Sequence, residues 1–258
     1  MIKKRGRRGL LFFPAVALML AAGGASAAES NIKMLAAGLS YDHFSRTVAW
    51  EGDEASSKIL FHRLSATADF GVGNGLVLSL SAGLSLSDFA ALTFGSLPIS
   101  LEFGGAPLKG LALGAELVAP VHKRGDFEIA AAGRFVYSFG MSKTWPLEGF
   151  AVEGNARGMS DCMETAIGPR VSYLFFGRVV PYLEVSVRWL WADFGMTETL
   201  GDLVGEERKQ VGGDISFSAA LGADAKVSDR LLVKAKGGIV PFAGGVDGSV
   251  SIGILYGF

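Results

Sequence analysis

Beyond the first 30 residues, hydrophobic and polar positions alternate with a period of two. The clearest stretch is Leu76-Val77-Leu78-Ser79-Leu80-Ser81-Ala82-Gly83-Leu84-Ser85-Leu86-Ser87, where every even position is Leu or Ala and the odd positions are small, mostly serine. Successive side chains of a strand point to opposite faces, so this pattern writes one apolar face and one small polar face. A helix would spread the same leucines around its whole circumference. The alternation recurs: Phe127, Ile129, Ala131, Phe135, Tyr137 and Phe139 oppose Glu128, Arg134 and Ser138; Leu183, Val185, Val187, Trp189 and Trp191 oppose Glu184, Ser186 and Arg188. Ile215, Phe217, Ala219 and Leu221 oppose Asp214, Ser216 and Ser218, and Leu231, Val233, Ala235 and Ile239 oppose Lys234 and Lys236.

Soluble β-sandwiches alternate too, with the apolar face turned inward. Three features favour the opposite arrangement, a closed cylinder with lipid outside. The strands run about 10 to 14 residues, against roughly 5 to 6 in soluble sheets and about 9 to 11 for tilted membrane strands. Tight and long connections alternate, as the two ends of an up-and-down barrel require. Aromatics (Tyr41, Tyr137, Phe139, Trp189, Trp191) gather near strand ends, where membrane interfaces place them. The expected fold is all-β: a closed antiparallel transmembrane up-and-down barrel.

The chain ends Val250-Ser251-Ile252-Gly253-Ile254-Leu255-Tyr256-Gly257-Phe258, so that Val250, Ile252, Ile254, Tyr256 and Phe258 share one face up to a terminal aromatic. This ending resembles the closing strand of bacterial outer-membrane β-barrels, and the mature chain looks like the small single-chain OmpA, OmpX and Opa-like barrels. The resemblance implies that these five residues form an assembly signal read by the barrel-assembly machinery.

Composition adds an address and removes alternatives. Lys3, Lys4, Arg5, Arg7 and Arg8 precede an apolar run over residues 10–22 and an Ala25-Ser26-Ala27 cleavage pattern. Residues 1–27 therefore read as a secretory signal peptide, with residues 28–258 as one barrel domain exported by a Sec-type route to the outer membrane of a Gram-negative bacterium. Removing that segment leaves 19 basic against 25 acidic residues, a net charge of −6, and no basic face for nucleic acid. After residue 30 no 18-residue uncharged apolar run occurs, which argues against a helical bundle. The single cysteine, Cys162, excludes an internal disulfide.

Counting back from Phe258, strands are expected near 248–258, 231–240, 213–227, 181–194, 165–176, 126–140 and 110–120; from the front come 34–48, 58–71 and 76–88. That makes ten, with twelve or eight as alternatives. The short reversals Gly71-Val72-Gly73-Asn74-Gly75, His122-Lys123-Arg124-Gly125, Gly177-Arg178-Val179-Val180 and Ser228-Asp229-Arg230 then share the periplasmic end. Residues 97–103 alternate like a strand, but parity assigns them to a long outer loop or a hairpin extension.

The inward faces then carry Arg63, Arg134, Arg170, Arg188, Lys226, Lys234 and Lys236 opposite Asp42, Asp69, Glu116, Glu128, Glu184 and Asp224. In so narrow a bore these are expected to pair across the lumen. The segments 141–164 and 195–212, with Trp145, Phe150 and Met159, read as outer loops able to meet an extracellular ligand or lipopolysaccharide. Glu51, Asp53, Glu54, Glu148, Glu153, Asp161, Glu164, Glu198, Asp202, Glu206 and Glu207 make the outer loops acidic, and Cys162 falls among them. The Glu51-Gly52-Asp53-Glu54 run lacks the ligand spacing of a calcium loop, so no metal or cofactor is assigned.

Some outer-membrane barrels, such as lipid A deacylases and omptin proteases, are enzymes that use a histidine. The histidines here are His43, His62 and His122. His43 and Ser45, two apart on one strand face, faintly resemble the H-x-S of the deacylases. They lie in the first strand, however, and Arg46 follows where an Asn is expected. The expected function is non-enzymatic: an outer-membrane barrel for envelope integrity, adhesion or loop-mediated binding, with a charge-plugged lumen. The alternatives are a narrow channel for small polar solutes and, third, a lipid-modifying enzyme.

Overall fold

The computed structural model describes residues 32–258 except 52–55, 74, 104–106, 150, 151 and 243. Residues 1–27, expected to be a signal peptide, and Asp53, Glu54, Asn74 and Phe150 lie outside the described residues. In chain order the strands are β1 (Ile32–Ala49), β2 (Ser56–Val72), β3 (Leu76–Ala90), β4 (Leu92–Phe94), β5 (Leu101–Phe103), β6 (Leu108–Arg124) and β7 (Phe127–Gly140). There follow β8 (Lys143–Leu147), β9 (Gly154–Tyr173), β10 (Val179–Leu200), β11 (Leu203–Lys226), β12 (Leu231–Phe242) and β13 (Gly245–Gly257). Ten of them close into an antiparallel ring in the order β10-β11-β12-β13-β1-β2-β3-β6-β7-β9, with β9 pairing back to β10. The last strand meets the first from Ala36↔Gly257 to Phe44↔Ser249, so no backbone edge is left open at this level. The expected ten-stranded barrel stands.

The outer wall carries the apolar faces of the alternation. Leu39, Leu64, Leu84, Leu111, Leu113, Val185, Val187, Phe217 and Ile254 are all exposed there, forming an apolar belt. Tyr41, Tyr137, Phe139, Trp189 and Trp191 bound the belt at one end. Phe127, Tyr173, Tyr256 and Phe258 bound it at the other, with Phe127 and Tyr173 in ring contact at 5.0 Å. Short reversals join the strands at this second end, where Gly125 and Gly177 adopt positive φ.

Above the first girdle the structure departs from expectation. Residues 141–164 and 195–212 are largely not loops: β9, β10 and β11 run on for 20, 22 and 24 residues. At about 3.3 Å per residue such strands are roughly twice as long as a bilayer crossing needs. With β8, which pairs with Gly154–Gly158, they form a collar standing beyond the membrane belt. The polarity inverts there. Arg157, Asp161, Asp193 and Arg208 point outward, while Ala156, Ala192, Phe194, Met196 and Val211 are buried inside. The inversion in β11 has a local cause. A bulge between Leu190 and Trp191 sets Gly212 and Gly213 opposite one step of β10, and Gly213 takes φ +107, a conformation few side chains tolerate. One inserted residue exchanges the two faces of a strand, so Ser216 and Asp214 face the bore below it and Val211 and Glu207 above it.

The β12–β13 hairpin is short. Above it, side chains and one backbone bond close the wall between β11 and β1: Arg46 Nε donates to Asp214 Oδ2 at 2.9 Å, and the Glu51 N–H donates to the Gln210 carbonyl at 2.8 Å. The expected reversal at His122-Lys123-Arg124-Gly125 is also tighter than expected, since β6 runs through Arg124 and turns only at Gly125 and Asp126.

Candidate functional site

The bore is filled in tiers, each built by inward positions of several strands. Nearest the turn end, Arg170 on β9 donates to Glu184 on β10 and to Glu116 on β6, both at 2.8 Å, with its guanidinium 4.3 Å from the Tyr182 ring. Lys236 lies 3.7 Å from each of the same two carboxylates, and Lys234 reaches Asp69 at 2.6 Å. The Ser79 hydroxyl donates to Asp69 at 2.6 Å. Above them Arg134 reaches Asp42 at 2.8 Å. Between these groups lies a polar cavity of about 100 Å³ lined by Ser40, Asp69, Ser79, Glu116, Lys234 and Ser251, room for several waters.

The next tier centres on Glu164. Arg188 Nη1 approaches one of its oxygens at 2.8 Å and Arg63 Nη1 the other at 3.3 Å, and all three side chains are buried. Ser138 accepts from Arg63 Nε and Ser218 from Arg188 Nε, at 3.2 and 2.9 Å. Glu164 was expected in an acidic outer loop, as was Cys162. Both instead point into the bore from β9, Glu164 as the shared partner of two arginines and Cys162 only 2% exposed. The cause is the continuation of β9, whose inner positions Gly154, Ala156, Gly158, Ser160 and Cys162 are too small to read as a hydrophobic face. Asp224, Glu128 and Lys226 occupy inward register positions, but among the described residues no ion pair joins them to the network; Lys226 is exposed at the turn end.

Above the arginines the bore turns apolar. Phe44 on β1, Ile59 and Phe61 on β2, Phe89 on β3, Leu108 on β6, Leu190 and Phe194 on β10, Val211 on β11 and Val240 on β12 merge into one buried cluster across the cylinder. The segment expected as a hairpin extension completes it. Residues 92–94 pair with 101–103, and the chain enters this hairpin through Ala91 at φ +60, a strained value for a residue with a Cβ. Phe94 and Phe103 then sit 5.2 and 5.1 Å from Phe194, and Phe89 meets it edge-on at 4.8 Å. Two collar carboxylates tether the connecting loop. Glu207 accepts the Ser96 N–H at 2.6 Å, and the fully buried Glu198 accepts the Ile99 N–H at 3.2 Å. Glu198 had been expected in a solvated loop; its inward register on β10 buries it.

The candidate catalytic pair does not meet. The Ser45 hydroxyl lies in the β1–β13 seam, donating to the Gly248 carbonyl at 3.3 Å and accepting the Gly248 N–H at 3.1 Å. His43 stands on the outer wall beside His62, with ring centroids 4.7 Å apart, and His62 Nδ1 lies 2.7 Å from the Tyr41 hydroxyl. His122 is exposed at the turn end. Val250, Ile252, Ile254 and Tyr256 on β13 and Phe258 just beyond it are all exposed, and Tyr256 accepts a bond from Arg230 at 2.8 Å.

No protein-family model and no curated protein matches the sequence. Among solved structures, the outer membrane protease OmpT of Escherichia coli aligns with a TM-score of 0.50 at 11% identity, covering 91% of this chain and 100% of that one. The beta domain of the Bordetella autotransporter BrkA gives 0.48 at 12% identity over 87% and 99% of the two chains. Ail, the attachment invasion locus protein of Yersinia pestis, gives 0.35 at 10% identity over 89% and 100%. At such identities the likeness to OmpT is one of fold. Architecture and bore together define a closed ten-stranded β-barrel of the outer-membrane type with a filled lumen.

Proposed function

We propose that this chain is a sealed integral outer-membrane protein, exported by its first 27 residues to the outer membrane of a diderm bacterium, with its turn end in the periplasm and its collar outside. It serves envelope integrity and offers the collar to an extracellular partner, by adhesion or binding. The observation that carries this reading is the aromatic layer around Phe194, which crosses the bore above the Arg63–Glu164–Arg188 tier. A solute would have to displace both a packed apolar cluster and buried ion pairs. The belt of exposed apolar side chains supports lipid and lipopolysaccharide as its surroundings, and the Val250–Phe258 row supports recognition by the assembly machinery.

Planar-bilayer recording tests the seal. Purified protein is expected to give no discrete openings, whereas replacing residues 92–103 by a short Gly/Ser link should yield small, ohmic steps. Regular steps from the unaltered protein would overturn the reading in favour of a narrow channel.

A further inference from the structure

The outer wall carries one side-chain group that neither the seal nor the bore uses. His43 on β1 and His62 on β2 are direct cross-strand partners in the antiparallel ladder. Both project outward, one step beyond Tyr41 on the collar side of the aromatic girdle, at the depth of lipid headgroups and water. Their ring centroids are 4.7 Å apart with the planes tilted by 40°. We propose that His43 and His62 form a two-histidine site for a divalent transition-metal ion, Cu²⁺ or Zn²⁺, on the outer wall of the barrel.

Three observations support the assignment. The first is reach. A tetrahedral ion holding two imidazole nitrogens at about 2.0–2.1 Å needs them roughly 3.3 Å apart. Rings this close meet that separation by side-chain rotation alone, on a backbone fixed by ladder pairs on both sides. The second is orientation. The Tyr41 hydroxyl lies 2.7 Å from His62 Nδ1, so with Nδ1–H donating to the phenol oxygen the lone pair sits on Nε2, the kind of outer contact that fixes a metal-binding tautomer. The third is an unmet need: His43 Nδ1 is buried and makes no hydrogen bond. A buried ring nitrogen without a partner calls for an explanation, and a ligand on this ring supplies one.

Lys58, four residues from His62 on the same outer face of β2, is drawn to Asp247, 3.7 Å away. Asp88 on β3 lies on the same outer face, its β2 partner Leu60 being two residues from His62. With two protein ligands the remaining positions go to water or to a phosphate oxygen of the surrounding lipid. Imidazole pairs favour Cu²⁺ over Zn²⁺ in the usual order of divalent affinities.

The test uses the full mature barrel, folded in detergent and free of any polyhistidine tag. Titration with CuCl₂ and then ZnCl₂, followed by calorimetry and by Cu²⁺ electron paramagnetic resonance, should give one Cu²⁺ per barrel with nitrogen hyperfine structure from two imidazoles. His43→Ala and His62→Gln should each weaken binding at least tenfold, Tyr41→Phe several-fold, and His122→Ala not at all. His62 is exposed, so His62→Gln keeps the wall intact if His43→Ala folds poorly, and heat-modifiable migration on gels reports folding in each case. Absence of binding below millimolar metal, binding that survives the His43→Ala/His62→Gln double substitution, or loss of the signal in His122→Ala would each overturn the proposal.

Discussion

The membrane belt and the collar are made from the same strands and obey opposite rules. In the belt, β10 turns Leu183, Val185 and Val187 outward and keeps Glu184, Ser186 and Arg188 in the bore. Ten residues further along the same strand, Asp193, Thr197 and Thr199 face out and Phe194 and Met196 are buried. Strand geometry is identical in both; only the solvent outside has changed. Where hydrocarbon surrounds the cylinder, polar side chains have no outside to go to and must pair within. Where water surrounds it, the ordinary hydrophobic driving force returns and the cylinder acquires an apolar core. The lesson is that the bore holds two different kinds of stuffing, ionic below and aromatic above, and each should fail in its own way.

The largest effect is expected in the ionic part. Glu164→Leu leaves Arg63 and Arg188 buried without their shared carboxylate. Breaking a buried pair in this manner costs about 3–5 kcal/mol, because the cations remain. Urea unfolding of the refolded barrel in lipid vesicles, read by tryptophan fluorescence, should show that loss. Converting Arg63 and Arg188 to Leu as well should recover most of it, since no charge is then stranded. If Glu164→Leu alone leaves the unfolding midpoint unchanged, the tier is not held by charge.

The aromatic part comes next. Phe194→Ala removes the ring that Phe89, Phe94 and Phe103 all touch, and truncation of a buried Phe costs about 3–5 kcal/mol where neighbours cannot collapse into the space. Here the loss should be local. Proteolytic cleavage within residues 91–103 should accelerate while the belt unfolds at nearly its original denaturant concentration. An equal shift of both would mean that collar and belt form one cooperative unit.

How much of this was legible in the sequence follows the same division. Ten strands and the ring come straight from the alternation, because in the belt apolar and polar residues take turns; which charges pair, such as Arg170 with Glu184 on the neighbouring strand and with Glu116 on β6, does not. The collar hid itself. On β9 its inner face is Gly154, Ala156, Gly158, Ser160 and Cys162; at Gly158 the Trp145 ring lies about 3.0 Å and the Phe194 ring 3.3 Å from where a side chain would begin, and at Gly154 Leu147 and Leu200 crowd the same spot. Small residues inside and charges outside resemble a loop. On β11 the Gly212–Gly213 bulge broke the period before the polarity inverted, so no single register spans the strand. Glu164 is hidden by the loop-like inner face of β9, although its even spacing with Arg170, six residues further on, marks the same face. The seal was out of reach altogether, since the Phe94 and Phe103 contacts depend on a hairpin folding into the mouth.

The smallest effect sharpens the comparison most, because it asks where one set of rules stops. Leu39 is 61% exposed near the middle of the belt, and Thr199 is exposed near the top of the collar on the outer face of β10. By surface area alone, arginine should be tolerated at both. With hydrocarbon outside the belt, Leu39→Arg is expected to cost about 2–4 kcal/mol, as it does for an arginine near the bilayer midplane. With water outside the collar, Thr199→Arg should change stability by less than about half a kcal/mol. Measured by reversible unfolding in vesicles, the gap between the two should shrink as the substitution is walked along β1 from Leu39 to His43, and close where the headgroups begin. Equal, negligible costs at Leu39 and Thr199 would mean that water bathes both, and that the exposed leucines of the belt are covered by something other than lipid.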